Sequence, residues 1–344
     1  MKKQIVLFVG ILLCVSSCAT TKNQGNTGIN GSAPYMTREF PASSIKEVEA
    51  TTSGGSLILT GDADSKAIVE VYVSQDNWSA EKIKQFLDEN YTIDIQVVDG
   101  KLVATAKKQK NISQGLSISF KISAPKQVNS NLKTSGGSIQ ISNLSGSQTF
   151  ATSGGSLSVD NVSGKTSGAT SGGSISVTNS KDNINLATSG GSITAKDCNG
   201  TINLATSGGS LSLNNLTGTV NASTSGGSIV ASNISGTLTT GTSGGSVKLG
   251  GISGNVEAKT SGGNMDVRIK SASDYVKLSN NGSLNLVLPA GKNYNLNVKA
   301  NSIETSGMKN FQGSTDSKSI NGTIGNGGTQ VDVRSLQQVR LSFE

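Results

Sequence analysis

The pentapeptide Thr-Ser-Gly-Gly-Ser begins at Thr134, Thr152, Thr170, Thr188, Thr206, Thr224 and Thr242, and a variant ending in Asn264 begins at Thr260; every spacing is 18. A short fixed period means that each repeat is one supersecondary unit stacked on the last. It rules out an ordinary globular arrangement, in which successive segments differ. Composition agrees. Apolar residues make up 34% and aromatics 4%, too lean for a conventional core. Most of the 43 glycines sit at fixed repeat positions, which argues for order rather than a flexible linker.

Each turn carries two short alternating segments. In Thr206–Ser223, Leu211 and Leu213 alternate with Ser212 and Asn214. The bend Asn215-Leu216-Thr217-Gly218 follows, and then Val220 and Ala222 alternate with Asn221 and Ser223. Period-two alternation is the mark of a strand with one face buried. Turn positions 6, 8, 11, 15 and 17 therefore face inward; one turn earlier they hold Ile193, Ala195, Cys198, Ile202 and Leu204. Glycines at positions 3, 4 and 13 are expected to take positive φ in tight bends. The fold class that follows is all-β: a parallel β-solenoid (β-helix) of 18-residue turns.

The start of the chain reads differently. Lys2 and Lys3 precede the apolar run Ile5–Val15, too short to cross a bilayer and suited to a secretory signal. Val15-Ser16-Ser17-Cys18 resembles the lipobox of bacterial lipoproteins. That resemblance implies cleavage before Cys18 and lipidation (palmitate among the acyl groups) of Cys18. Several acyl chains hold a protein stably on a membrane. Loss of the leader removes Cys14, and lipid occupies Cys18. Cys198 is then the one thiol left, so no intrachain disulfide is expected.

The boundaries follow from composition: signal peptide 1–17, flexible tether 18–36, N-terminal cap and first strands 37–133, regular repeats 134–278, and irregular turns with a closing cap 279–344. Within 37–133 an early motif copy occupies Thr52–Ser56. Ala67–Val73, Tyr91–Val98, Lys101–Ala106 and Leu116–Ile122 alternate as strands. Ser79–Glu89 is the one helix candidate, with Ser79 as its cap and Ile83, Phe86 and Leu87 on one face. The region reads as the first coils, broken by this helical insertion, and as the end cap that a solenoid requires. Past Leu278 the period blurs. Ser283–Leu288, Tyr294–Val298, Val331–Val333 and Val339–Phe343 read as closing strands.

These turns, the Pro-bearing strands Ser117–Pro125 and Leu284–Pro289, and Gly325-Asn326-Gly327-Gly328 together resemble a bacterial family of adhesin-type proteins with β-strand repeats, whose function is unknown. The likeness spans nearly the whole mature chain. It implies a parallel β-solenoid and a location in the cell envelope, and it carries over no catalytic residue.

Chemistry-bearing residues are sparse. With no histidine in the chain, Ser-His and Cys-His nucleophile pairs and most zinc sites drop out. The acids of the regular turns, Asp160, Asp182, Asp197 and Glu257, fall at positions 9, 13, 10 and 16 and do not align as a two-carboxylate site requires. Glu81, Asp88, Glu89 and Asp94 are scattered in sequence. The position-10 column, Asn143, Asn161, Asn179, Asp197, Asn215 and Asn233, reads as an amide ladder along a bend, and a calcium site is the sharper alternative. Thr and Ser at positions 1, 2 and 5 are expected to form a hydroxyl-covered strip. That strip is first turn chemistry, and second a contact face for glycans or ordered water. A basic groove with stacking aromatics is absent, so no nucleic-acid partner is expected.

The expected protein is a non-enzymatic envelope lipoprotein without cofactor or metal, anchored by Cys18 and acting as an adhesin or surface interaction module with a protein or glycan partner. Ala19, not Asp, follows the lipidated cysteine, which by the lipoprotein sorting rule favours the outer membrane. A periplasm-facing structural or envelope-stress accessory protein is the alternative, and a carbohydrate-active β-helix enzyme is a third.

Overall fold

The computed structural model describes residues 33–110 and 115–344. The signal segment, Cys18 and nearly all of the tether lie outside the described residues. What is described is all-β with one α-helix, and its strands join in a long, mostly parallel sheet.

The parallel register in the regular region equals the sequence period. Thr152 pairs with Thr170, Thr188 with Thr206, and Thr224 with Thr242. The five inward slots are closed to solvent as the alternation requires: Leu211, Leu213, Leu216, Val220 and Ala222 are all buried. Each turn presents its apolar side chains to the turns above and below, giving one continuous core along the stack. Two turns break the pattern together. Position 17 is Phe150 in one turn and Gly168 in the next; a Cβ on Gly168 would lie 2.2 Å from Phe150 Cε2. The large ring thus fills the space its neighbour leaves, a size exchange that keeps packing dense.

The corners correct one expectation. Positive φ occurs at position 13, in Gly200, Gly218 and Gly236 (112°, 113° and 119°), but not at positions 3 and 4. Position 4 needs glycine for a steric reason: a Cβ on Gly209 would sit 2.0 Å from the carbonyl oxygen of Gly191 in the turn below. At position 3 the same addition on Gly208 meets nothing nearer than 3.4 Å.

Positive φ is also found at position 10. Asn143, Asn161, Asn179, Asp197, Asn215 and Asn233 lie between 51° and 58°, and Gly251 at 66°. Asn and Asp tolerate this left-handed conformation better than other side chains. This column is therefore the bend that the asparagines were expected to mark.

At both ends the stacking order departs from chain order. The copy at Thr52–Ser56 seats directly beneath Thr134–Ser138, since Leu57 pairs with Ile139. On its other side Leu57 pairs with Phe120. The intervening segment leaves the stack, runs through the helix Ala80–Asn90, and returns below its own starting point. It is thus an excursion beneath the first coil rather than a simple interruption of it. Antiparallel strands Met36–Pro41, Lys66–Ser74 and Tyr91–Val98 close this end. The helix is capped as expected, the Lys82 N–H donating to Ser79 Oγ at 3.3 Å, and Ile83 and Leu87 are buried. At the opposite end the last strand, Gln338–Phe343, is inserted between Leu284–Leu288 and Ser302–Ser306. Antiparallel strands Phe311–Thr315 and Ser319–Ile324 finish the other face.

Candidate functional site

Hydrogen bonding between turns determines which outward columns remain free for contact. The position-1 threonines are not on the surface. Thr224 is buried; its Oγ1 donates to the Gly209 carbonyl of the turn below at 2.7 Å and accepts the Gly227 N–H at 3.2 Å. The same pair of bonds recurs at Thr152, Thr170, Thr188, Thr206, Thr242 and Thr260. The expected hydroxyl strip therefore loses its threonine column to the corner.

The position-5 serines are exposed but engaged. Ser192 Oγ accepts the N–H of Ser210, and Ser210 Oγ that of Ser228, at 3.1 and 3.2 Å. In the bend column, Asn161 donates to Asn143 at 2.8 Å and Asn215 to Asp197 at 2.6 Å. That amide bond, more than the nearby Lys196, holds the Asp197 carboxyl below its usual range.

Asp160 and Asp182 of the regular turns are engaged between turns as Asp197 is, whereas Glu257 lies on the open second strand. Asp160 accepts from Thr178 Oγ1 and Asn179, and Asp182 accepts the Gly164 N–H. In the cap, Asp88 pairs with Lys84, Glu89 accepts from Gln85, and Asp94 from Gln96. Among the described residues no three His, Cys, Asp or Glu side chains are placed to hold a metal ion. Cys198 is buried, and desolvation pushes its thiol above the ordinary value.

The second strand of each turn is left. Position 16 presents Asn185, Asn203 and Asn221, with Asn221 donating to Asn203 at 2.9 Å. Position 18 beside it carries Ala205, Ser223 and Gly241, whose small side chains leave a groove of about 360 Å³ across the stacked strands. Glu257 and Lys259 mark its upper end. The sequence carries this column as asparagines at successive spacings of 18, Asn185, Asn203 and Asn221, outside the Thr-Ser-Gly-Gly-Ser corner.

On the helix, Trp78 meets Phe86 edge-on at 5.0 Å and Lys82 lies over the indole at 4.1 Å, which gives that end a compact apolar plug. No described helix is long and apolar enough to cross a membrane. Cys18, the residue with the clearest expected role, lies outside the described residues.

No protein-family model matches the chain, and no curated protein does. Two solved structures align over 90% of it. A putative cell adhesion protein from Clostridium sporogenes is 11% identical, with 98% of its chain covered and a TM-score of 0.18. A putative adhesin from Bacteroides fragilis is 14% identical, with 96% covered and a TM-score of 0.23. Likeness at this level carries no argument about the present chain.

Proposed function

We propose that this chain is a non-enzymatic, lipid-anchored parallel β-solenoid that serves as an adhesin or interaction module of the cell envelope. The observation that carries the reading is the division of labour among its columns. Threonine, serine and bend asparagine are committed to the corners, whereas the groove over Asn185, Asn203 and Asn221 opens to solvent along the strands; Asn221 also donates to Asn203 of the turn below, and these amides keep further donor and acceptor capacity facing outward. Such a face suits an extended partner lying along the stack, a polypeptide or a glycan. Cys18 would fix the protein to the outer membrane. Met36–Pro41 lies at one end of the ladder, so a tether preceding it would leave from that end and the solenoid would project as a rod.

Protease shaving of intact cells, with a periplasmic protein as control, tests the placement. Loss of the solenoid signal with the control intact is the expected result. Full protection would refute display at the surface and favour a periplasm-facing role. Palmitate labelling of the natural chain but not of Cys18→Ser is the expected behaviour of the anchor.

A further inference from the structure

We propose that the loop cluster at the end of the stack opposite the tether binds the carboxylate-bearing sugar of an acidic glycan. Three corners from different layers meet there: residues 289–293, 307–310 and 324–328. They enclose a pocket of about 460 Å³ whose lining includes Lys292, Asn293, Lys309, Asn310, Ile324 and Phe343. That volume falls in the range of small-molecule sites.

The walls are held by backbone. Gly307, Asn310 and Gly325 have φ of 73°, 56° and 61°. The Gly325 N–H donates to the Asn310 carbonyl at 3.3 Å, tying two corners together. A Cβ on Gly325 would lie 2.2 Å from Asn293 Oδ1, and one on Gly307 2.5 Å from the Phe343 carbonyl oxygen. Glycine at these points lets the three corners close on one another.

The chemistry is one-sided. No carboxylate side chain lines the pocket. Among the described residues neither Lys292 nor Lys309 has an acidic partner, and the nearby Glu344 side chain is taken by Arg268 at 2.6 Å. Two lysines with no side-chain counter-charge attract an anion, while the main-chain oxygen of Glu344 beside them is already taken by the Ala290 N–H at 2.8 Å. Asn293 and Asn310 can each donate and accept, as neighbouring hydroxyls require. Phe343, half-buried with its ring on Tyr294, leaves an apolar edge at the pocket for the C–H face of a pyranose ring. Inorganic phosphate would use the lysines and leave the amides and the ring idle; a neutral sugar would leave the lysines idle. An acidic sugar uses all of them.

The site also has position in its favour. Along one face of the sheet, from Met36–Pro41 to Ser302–Ser306, the strand ladder is roughly 65 Å long at the usual strand spacing. The pocket therefore lies at the tip of the proposed rod. The inference deepens the interaction-module reading by naming a ligand class, but solution binding can succeed or fail independently of where the protein is displayed.

The test is titration calorimetry on the purified full chain in mild detergent, with trigalacturonate and sialyllactose as acidic probes and galactotriose and lactose as neutral counterparts. We expect saturable binding of at least one acidic probe, at least tenfold weaker binding of its neutral counterpart, and no displacement by inorganic phosphate. The pair Lys292→Ala and Lys309→Ala, both at exposed positions, should weaken binding at least tenfold. Lys165→Ala with Lys181→Ala, the same charge change on the shaft, should leave it within twofold. Failure of both acidic probes, equal binding of acidic and neutral sugars, equal loss in the shaft variant, or full displacement by phosphate would each overturn the proposal.

Discussion

Alanine at Gly209 should unseat a turn that alanine at Gly208 leaves in place. The added Cβ at Gly209 would lie 2.0 Å from the Gly191 carbonyl oxygen, 2.4 Å from its carbon and 2.6 Å from the Ser192 nitrogen. All three are backbone atoms, so no side chain can swing aside. Relief requires the two corners to separate by more than an ångström. That stretches the Thr206 Oγ1 bond to the Gly191 carbonyl, now 2.7 Å, and the Gly208 N–H bond to the Ser189 carbonyl, now 2.9 Å. Overpacking typically costs ~1–3 kcal/mol, and each weakened hydrogen bond adds ~0.5–1.5 kcal/mol. A loss of about 3 kcal/mol is expected for Gly209→Ala. At Gly208 the new methyl would stand 3.4 Å from the nearest backbone oxygen, and φ is not left-handed. Tight contact there is offset by the ~0.4–1 kcal/mol gained from restricting the unfolded chain, so Gly208→Ala should be near neutral. Guanidinium unfolding followed by far-ultraviolet circular dichroism measures both. Equal midpoints for the two variants, or a larger loss at Gly208, would refute steric exclusion as the reason for the second glycine.

The core exchange should be equally specific: Gly168→Ala alone is expected to cost ~1–3 kcal/mol by pressing on Phe150, and much of that loss should return in the double variant with Phe150→Leu. Thr206→Val removes a buried hydroxyl that both donates and accepts, and should lower stability by ~1–3 kcal/mol, whereas Ser192→Ala, at an exposed corner, should cost no more than about 1 kcal/mol. Asn215→Gly should be tolerated at φ 58° and Asn215→Val should not, with ~1–2 kcal/mol between their unfolding free energies. Burial raises the Tyr294 phenol to about 12, while its hydroxyl donates to the Pro289 carbonyl at 2.8 Å. The neutral form is favoured in the fold, so this contribution is complete below pH ~10 and is lost as pH rises towards 12. Tyr294→Phe should flatten that alkaline limb of a stability–pH curve.

Much of the architecture was legible because stacking repeats the sequence. A period of 18 becomes a register of 18, and alternation within one turn is enough to place Leu211, Leu213, Leu216, Val220 and Ala222 inside. The helix was equally open, since Ser79 and its apolar face are local signals. What escaped depends on neighbours from other turns. Gly208 and Gly209 look alike in sequence, and only the turn beneath separates a tolerated methyl from a barred one. Thr206 reads as a surface hydroxyl until the Gly191 carbonyl is placed below it. The order of layers at the two ends was hidden too, because a strand's alternation does not say which edge it joins. The pocket around Lys292 and Lys309 shares that origin: its corners are distant in sequence and belong to separate layers.

The inserted strands at either end have a kinetic consequence. Residues 52–61 sit between 115–124 and 134–142, so the first coil cannot be completed until at least 80 residues beyond it are available. Gln338–Phe343 likewise enters between two layers made from earlier chain. Non-local closures of this kind are slow, while the identical middle turns need only their immediate neighbours. Assembly should therefore begin in the middle of the stack, with both ends locked afterwards. Unravelling meets the same locks in reverse, because a terminal layer cannot peel away in chain order without first extracting a strand held on both sides. A chain emerging from its N-terminus would thus remain pliable, and become resistant to pulling and proteolysis only once residues 338–343 are in place.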